Sequence, residues 1–112
     1  MNRYLRDYLV GVKSANVSGF EHLNTLMVRD RLFEQNKELT PEERDELLKA
    51  DYQLIEQAPI ILTELEQITS LEYERKQRDA LSERWWWYLD VIVHLPFSIQ
   101  LPTSDRYAQS IV

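Results

Sequence analysis

The chain has 112 residues, 44 % of them hydrophobic, which predicts a single domain with enough apolar side chains for a core. It has no cysteine, so disulfides and thiolate metal sites are excluded, and its two glycines and four prolines disfavour a hairpin-rich β fold. The net charge of −6 argues against nucleic-acid binding, because such binding depends on basic side chains that neutralise phosphates.

Two amphipathic helices are predicted at the start of the chain. Apolar residues repeat at intervals of three and four over residues 2–13, which predicts a helix with Asn2 as its N-cap. Ser18 and Glu21 have the spacing of a capping box, and they predict a second helix that runs to about Asn36.

The third predicted helix has the clearest start signal. Thr40 is placed to cap it, Pro41 takes the first helical position, and Glu43 completes a capping box. The apolar stripe over residues 47–65 keeps its helical phase across Pro59. We therefore expect one long helix kinked at this proline, with two separate helices as the alternative.

Asp51 is a charged residue on this apolar stripe, between Leu47 and Leu54. We expect it either to be buried with a partner such as an arginine or to mark the solvent edge of the interface. The other acidic residues between positions 38 and 74 predict a solvated helix face rather than a catalytic pair of carboxylates, which would need a cleft.

The stretch from residue 69 to residue 79 allows two interpretations. A capping box at Thr69–Glu72 predicts a new helix that starts near Ser70, whereas the alternative is an unbroken helix that changes partners along its length. Residues 72–79 are almost wholly polar, and we expect the basic cluster of Arg75, Lys76 and Arg78 to form a solvated face.

Residues 81–95 contain four consecutive aromatic residues, Trp85 to Tyr88, in an apolar run too short for a membrane span of roughly 20 residues. We expect a helix that docks into the core, with a strand over residues 85–93 as the alternative. At about 100° per residue, Trp87 lies far from the buried face that contains Trp85. Trp87 must then contact another segment of this chain, contact another molecule, or be exposed.

After Leu95 the character of the chain changes. Apolar and polar residues alternate between Pro96 and Pro102, which predicts an extended segment that lies across the helices. We expect residues 1–102 to form one helical domain and residues 103–112 to form a flexible C-terminal tail, in which Tyr107, Ile111 and Val112 are candidates for tethering or binding.

The candidate binding residues lie around the tryptophan run. We predict that Trp86, Trp87, Asp90 and His94 bind a protein partner, since tryptophan is favoured as an interface anchor. The spacing of Asp90 and His94 on a helix also suits a metal site or an acid–base pair, although a local hydrogen bond is a more common role. Neither a phosphate-binding loop nor a zinc motif is present, and no serine has a neighbouring base.

Together these patterns predict an all-α bundle of three to five helices with a long Pro-kinked helix and an extended C-terminal tail. We expect a small acidic cytoplasmic protein that acts as an interaction or regulatory module through an aromatic surface around Trp85–Tyr88. It is expected to form a homodimer or hetero-complex, with no catalysis, cofactor, metal, nucleic-acid partner or membrane partner. The alternatives are a metal-binding or enzymatic bundle that uses Asp90 and His94, and an antitoxin-like partner of another protein.

Overall fold

The computed structural model describes residues 1–95, and every regular element in this range is helical. The predicted all-α fold is therefore confirmed, and the alternative of a strand over residues 85–93 is wrong. The predicted extended segment, the C-terminal tail and the domain boundary at residue 102 lie outside the described residues. The elements are α1 (Arg3–Val12), α2 (Gly19–Glu34), a 3₁₀ turn (Asn36–Glu38), α3 (Pro41–Glu56), α4 (Ala58–Leu65), α5 (Leu71–Arg78), a second 3₁₀ turn (Trp85–Tyr88) and α6 (Leu89–Ile92).

Side-chain caps fix where the first three helices begin. The Asn2 side chain accepts hydrogen bonds from the first backbone N–H groups of α1, and the Ser18 hydroxyl accepts one from Glu21. At α3 the Thr40 hydroxyl and the Glu43 carboxylate each accept a hydrogen bond from the other residue's backbone N–H. Because each cap contributes about 1 kcal/mol, these local signals define the helix starts that the sequence predicts.

The third and fourth helices are separated by a single residue, Gln57. The predicted continuous helix kinked at Pro59 is therefore not confirmed, and the structure has two helices in its place. A proline inside a helix would clash with the carbonyl four residues earlier, whereas in the first turn of α4 it has no hydrogen bond to lose. The apolar stripe keeps its phase because only one residue interrupts the helical backbone.

A separate helix, α5, follows Ser70, so the interpretation based on a capping signal at this residue is correct. The Ser70 hydroxyl accepts a hydrogen bond from the backbone N–H of Tyr73. The helix ends at Asp79, whose φ of 52° places it in the left-handed region that aspartate tolerates better than most residues.

Helix α2 lies at the centre of the packing, with α1 and α4 against it, and α1 also contacts α3. Gly11 allows the close approach of α1 to α2, since a Cβ atom at this position would collide with the side chain of Thr25. This packing role of Gly11 is a finding of the structure. Within the part of the chain that the structure describes, none of the helices has the length and apolar character needed to cross a membrane.

Candidate functional site

The indoles of Trp86 and Trp87 are both completely buried, and both donate to the same carboxylate oxygen. Their Nε1 atoms lie 2.8 Å and 2.9 Å from Oδ1 of Asp30 on α2. Arg84 lies 3.4 Å from the same oxygen and forms a partly exposed salt bridge with it. Trp87 therefore contacts another segment of its own chain, which was one of the three possibilities that the sequence left open.

Helices α2 and α5 both contact the tryptophan turn, so two adjacent indoles can be buried at once. Residues 85–88 form a 3₁₀ turn, and the following helix α6 has only four residues, so the predicted regular helix over residues 81–95 is not found. Arg29 of α2 lies over the ring of Trp86, and Arg78 of α5 lies over the ring of Trp87. The prediction that Trp87 lies away from the buried face assumed a regular helix with a single buried face.

Two arginines of α5 also contact the 3₁₀ turn over residues 85–88. The guanidinium of Arg75 donates to the backbone carbonyl of Trp87 at 2.9 Å and lies over the ring of Tyr88 at 4.6 Å. Arg78 lies 4.2 Å above the ring of Trp87 and pairs with the buried Glu74. The predicted solvated face of α5 is therefore wrong for these two arginines, whose planar cations pack on aromatic rings.

The four residues predicted to bind a partner occupy different environments. Trp86 and Trp87 have no accessible surface in the described chain, so neither can touch a partner directly. Asp90 is half-buried and accepts a hydrogen bond from Arg75 at 2.6 Å, whereas His94 is exposed near the end of the described range. The local Asp90–His94 hydrogen bond is not found among the described contacts, and these four residues do not form one binding surface.

A groove with a volume of about 860 Å³ lies beside the buried tryptophans. It runs between the C-terminal end of α2, the 3₁₀ turn that follows α2, and the loop before Trp85. Its lining residues are Arg29, Phe33, Glu34, Asn36, Lys37, Asp51, Ser82, Glu83, Trp85 and Trp86. We call this the aromatic groove, since Phe33 (38 % exposed) and the half-buried Trp85 present its accessible rings.

The rings of the aromatic groove are fixed against one another. Phe33 and Trp86 are tilted by 60° with their centroids 5.7 Å apart, and Trp85 meets Trp86 edge to face at 5.6 Å. Both distances fall in the range in which aromatic pairs attract each other. Because the Trp86 indole is hydrogen-bonded to Asp30, its position is fixed, and the rings of Phe33 and Trp85 pack against it.

A buried ionic cluster forms the base of the groove. Arg29 binds Asp51 through two hydrogen bonds, of 2.9 Å and 3.0 Å, and its guanidinium lies 4.2 Å above the ring of Trp86. The hydroxyl of Tyr8 donates to the same carboxylate at 2.6 Å. The expectation that Asp51 is buried with an arginine is confirmed. A buried pair with this many hydrogen bonds orients its members in one arrangement.

Protonation of this cluster is set by its burial and its charges. Burial, followed by the adjacent Asp51 charge, raises the pKa of Tyr8 well above its ordinary value, so the hydroxyl remains a donor at neutral pH. Burial lowers the pKa of Arg29, but the Asp51 carboxylate outweighs this effect, and the pKa is raised overall. The base of the groove is therefore the ion pair of Arg29 and Asp51, to which the Tyr8 hydroxyl is hydrogen-bonded.

The rim of the aromatic groove carries charges of both signs. Glu34, Lys37 and Glu83 are exposed there, and the amide of Asn36 and the hydroxyl of Ser82 add hydrogen-bonding groups. Neither histidine of the chain lines the groove, so Ser82 has no imidazole base beside it there. The described arrangement offers stacking, hydrogen bonding and ion pairing.

A second groove, of about 470 Å³, lies between α1 and α2. Phe20 and Val10 border it and are 69 % and 62 % exposed. It has no buried ionic cluster at its base, and its apolar side chains lie at the surface.

Carboxylates and histidines do not converge on a metal-sized site in the described chain, where no group of three or more potential ligands occurs. The alternative that uses Asp90 and His94 therefore has no third ligand among these residues, and Asp90 is already engaged by Arg75. No protein-family model, curated protein or solved structure matches the chain.

Proposed function

We propose that the protein is a non-catalytic binding module and that the aromatic groove receives a segment of a partner protein. The observation that carries this proposal is a pair of accessible rings, Phe33 and Trp85, that both pack against the buried ring of Trp86. The Trp86 indole is itself hydrogen-bonded to Asp30. Residues that are already fixed before binding lose little conformational entropy when a ligand arrives. Tryptophan and arginine at the centre of such a groove are the residue types that dominate binding energies between proteins.

Of the aromatic residues Trp85–Tyr88 that the sequence suggested as a binding surface, this proposal assigns contact with the partner to one alone. Trp85 keeps a role in contact with the partner, whereas Trp86 and Trp87 support the groove from inside. Phe33 replaces them as the second contact residue. The mixed charges of the rim favour a peptide segment over nucleic acid, which needs a continuous basic surface.

The oligomeric state, the cytoplasmic location and the antitoxin-like alternative stay predictions. A homodimer is compatible with the proposal if one copy supplies the segment that enters the groove of the other copy. The metal-binding alternative has less support than the groove, since its ligands do not converge in the described part of the chain.

Selection of binding peptides from a random library displayed on phage tests the proposal without knowledge of the natural partner. Peptides selected on the wild-type protein should bind Trp85→Ala and Phe33→Ala at least tenfold more weakly, because truncation of an interface anchor costs about 2 kcal/mol. Urea unfolding of each variant checks that the fold is retained.

Tyr73→Ala is the matched control, since Tyr73 is an aromatic residue on α5 that is 55 % exposed and does not line the groove. Its affinity for the selected peptides should stay within about twofold of the wild-type value, as expected for a residue outside the interface. The proposal is wrong if no peptide family is enriched, or if the selected peptides bind Trp85→Ala as tightly as the wild-type protein.

A further inference from the structure

We propose that the chain carries its own ligand for the aromatic groove, the segment Asp105–Tyr107, which competes with the partner in the same molecule. The inference rests on the proposed function, because it assigns the same groove an internal occupant. Three features support it, namely the length of chain after Leu95, the charges of the segment, and its aromatic residue.

The chain after Leu95 is long enough to reach the groove. Trp85 and Leu95 are ten positions apart and mostly in helical turns, so at no more than about 2.0 Å per residue they lie at most about 20 Å apart. Tyr107 lies twelve positions after Leu95, and an extended chain of this length spans up to about 40 Å. Tyr107 can therefore return to Trp85 with about half of this length to spare.

The charges of the segment match those of the groove rim. Asp105 and Arg106 are adjacent and opposite in sign, and they are the charged residues between positions 96 and 112. The rim offers Lys37 as a cation and the two carboxylates of Glu34 and Glu83 as anions. A segment with one charge of each sign can pair on both sides, whereas a uniformly basic or acidic segment would meet a like charge.

Tyr107 is the aromatic residue that has the reach to stack against Phe33 and Trp85. Phe97 follows Leu95 by only two residues, or about 7 Å of chain, so it has much less reach than Tyr107. A tyrosine ring buries about 150–250 Å² when it is enclosed, and its hydroxyl needs a polar partner. The amide of Asn36 and the hydroxyl of Ser82 are available for this role in the groove.

An internal ligand weakens the binding of an external one by mass action. A segment on a short linker has an effective concentration on the order of 1 mM at its site. If its intrinsic dissociation constant is about 0.1 mM, the segment occupies the groove about ten times more often than it leaves it empty. External peptides would then bind the wild-type protein about tenfold more weakly than a variant that has lost the internal ligand.

The experiment uses the full chain with Tyr107→Ala, and with Phe97→Ala as the matched control. Three indole N–H signals report the three tryptophans in a nitrogen-correlated NMR spectrum, and single Trp→Phe variants assign them. Tyr107→Ala should shift the Trp85 signal and speed its exchange with water, whereas the signals of Trp86 and Trp87 stay in place because they are bonded to Asp30. Phe97→Ala should leave the Trp85 signal unchanged.

Charge reversal provides a second, independent readout. Lys37→Glu should shift the Trp85 signal as Tyr107→Ala does, and the additional change Asp105→Lys should restore it. The inference is overturned if Tyr107→Ala leaves the Trp85 signal unchanged. It is also overturned if the Trp85 shift depends on protein concentration between about 10 and 500 μM, since the segment would then come from a second copy.

The peptides selected in the phage experiment separate this inference from the proposed function. Tyr107→Ala should bind them about tenfold more tightly than the wild-type protein, and Phe97→Ala should match the wild-type affinity. Equal affinities for the wild type and Tyr107→Ala would overturn the internal ligand and leave the binding module intact. If neither protein enriches any peptide, the proposed function itself fails.

Discussion

Replacing Asp30 by alanine removes the acceptor that Trp86 and Trp87 share. Both indole N–H groups are completely buried, and each loses its hydrogen bond in the variant. An unsatisfied buried donor costs about 1–3 kcal/mol, so the two together should lower the free energy of unfolding by about 4 kcal/mol. The free energy of unfolding of a domain is about 5–15 kcal/mol in total, and a loss of this size should therefore be easy to measure.

Asp30→Asn separates the hydrogen bonds from the charge. The asparagine keeps a carbonyl oxygen where the two indoles donate, but it loses the negative charge that strengthens both bonds and attracts Arg84. We expect a loss of about 1–2 kcal/mol, clearly smaller than that of Asp30→Ala. Asp45→Ala is the control, since that carboxylate is 67 % exposed on α3 and its removal should change stability by no more than about 0.5 kcal/mol.

Urea unfolding followed by far-ultraviolet circular dichroism measures all three variants on the same scale. Circular dichroism is preferable to tryptophan emission here because the substitution itself changes the surroundings of two indoles. A loss below about 1 kcal/mol for Asp30→Ala would refute the reasoning. Equal losses for alanine and asparagine would show that the charge, and not the shared oxygen, carries the interaction.

Three further substitutions test other contacts by the same urea measurement. Gly11→Ala forces a methyl group against Thr25 and should cost about 1–3 kcal/mol, and Thr25→Ala in the same chain should recover part of this loss. Arg29→Met leaves Asp51 buried without its cation and should cost about 3–5 kcal/mol, whereas an unchanged midpoint would contradict the ion pair. Backbone N–H groups that donate to Glu43 lower its pKa below the ordinary 4.5, so its stabilisation is present above that pH and is lost as the pH falls through the lowered value. Glu43→Gln should therefore flatten the acid side of the stability–pH curve, and a curve parallel to that of the wild type would count against this contact.

The features that sequence predicts well here are local ones. The capping signals at Ser18 and Thr40 were sufficient to locate two helix starts, because each depends on residues within three positions. The signal at Thr69–Glu72 gave a start near Ser70 as one of two open interpretations, and the structure has that start. The break between α3 and α4 was only the alternative to the predicted kinked helix, because a one-residue interruption leaves the apolar phase almost unchanged. Neighbouring residues alone do not distinguish a kink from such a break.

The tryptophan turn and the groove depend on contacts between distant parts of the chain. Asp30 lies 56 residues before Trp86, and one of its oxygens accepts from both indoles where the 3₁₀ turn over residues 85–88 contacts α2. In the sequence, Asp30 is a charged residue among the apolar residues of α2, and this was the available signal for a partly buried acceptor. The placement of Phe33 and Trp85 in one groove had no comparable signal, since it requires the tertiary packing of α2 against the turn.

The carboxylate shared by two indoles also constrains how the sequence can change during evolution. A chain that loses Asp30 leaves two buried donors without a partner, and a chain that loses one tryptophan leaves a cavity beside a partly buried charge. Positions 30, 86 and 87 should therefore change together among homologous sequences, even where the surrounding helices diverge. An acidic residue 56 positions before a pair of tryptophans is then a pattern that can identify distant relatives after overall similarity has been lost.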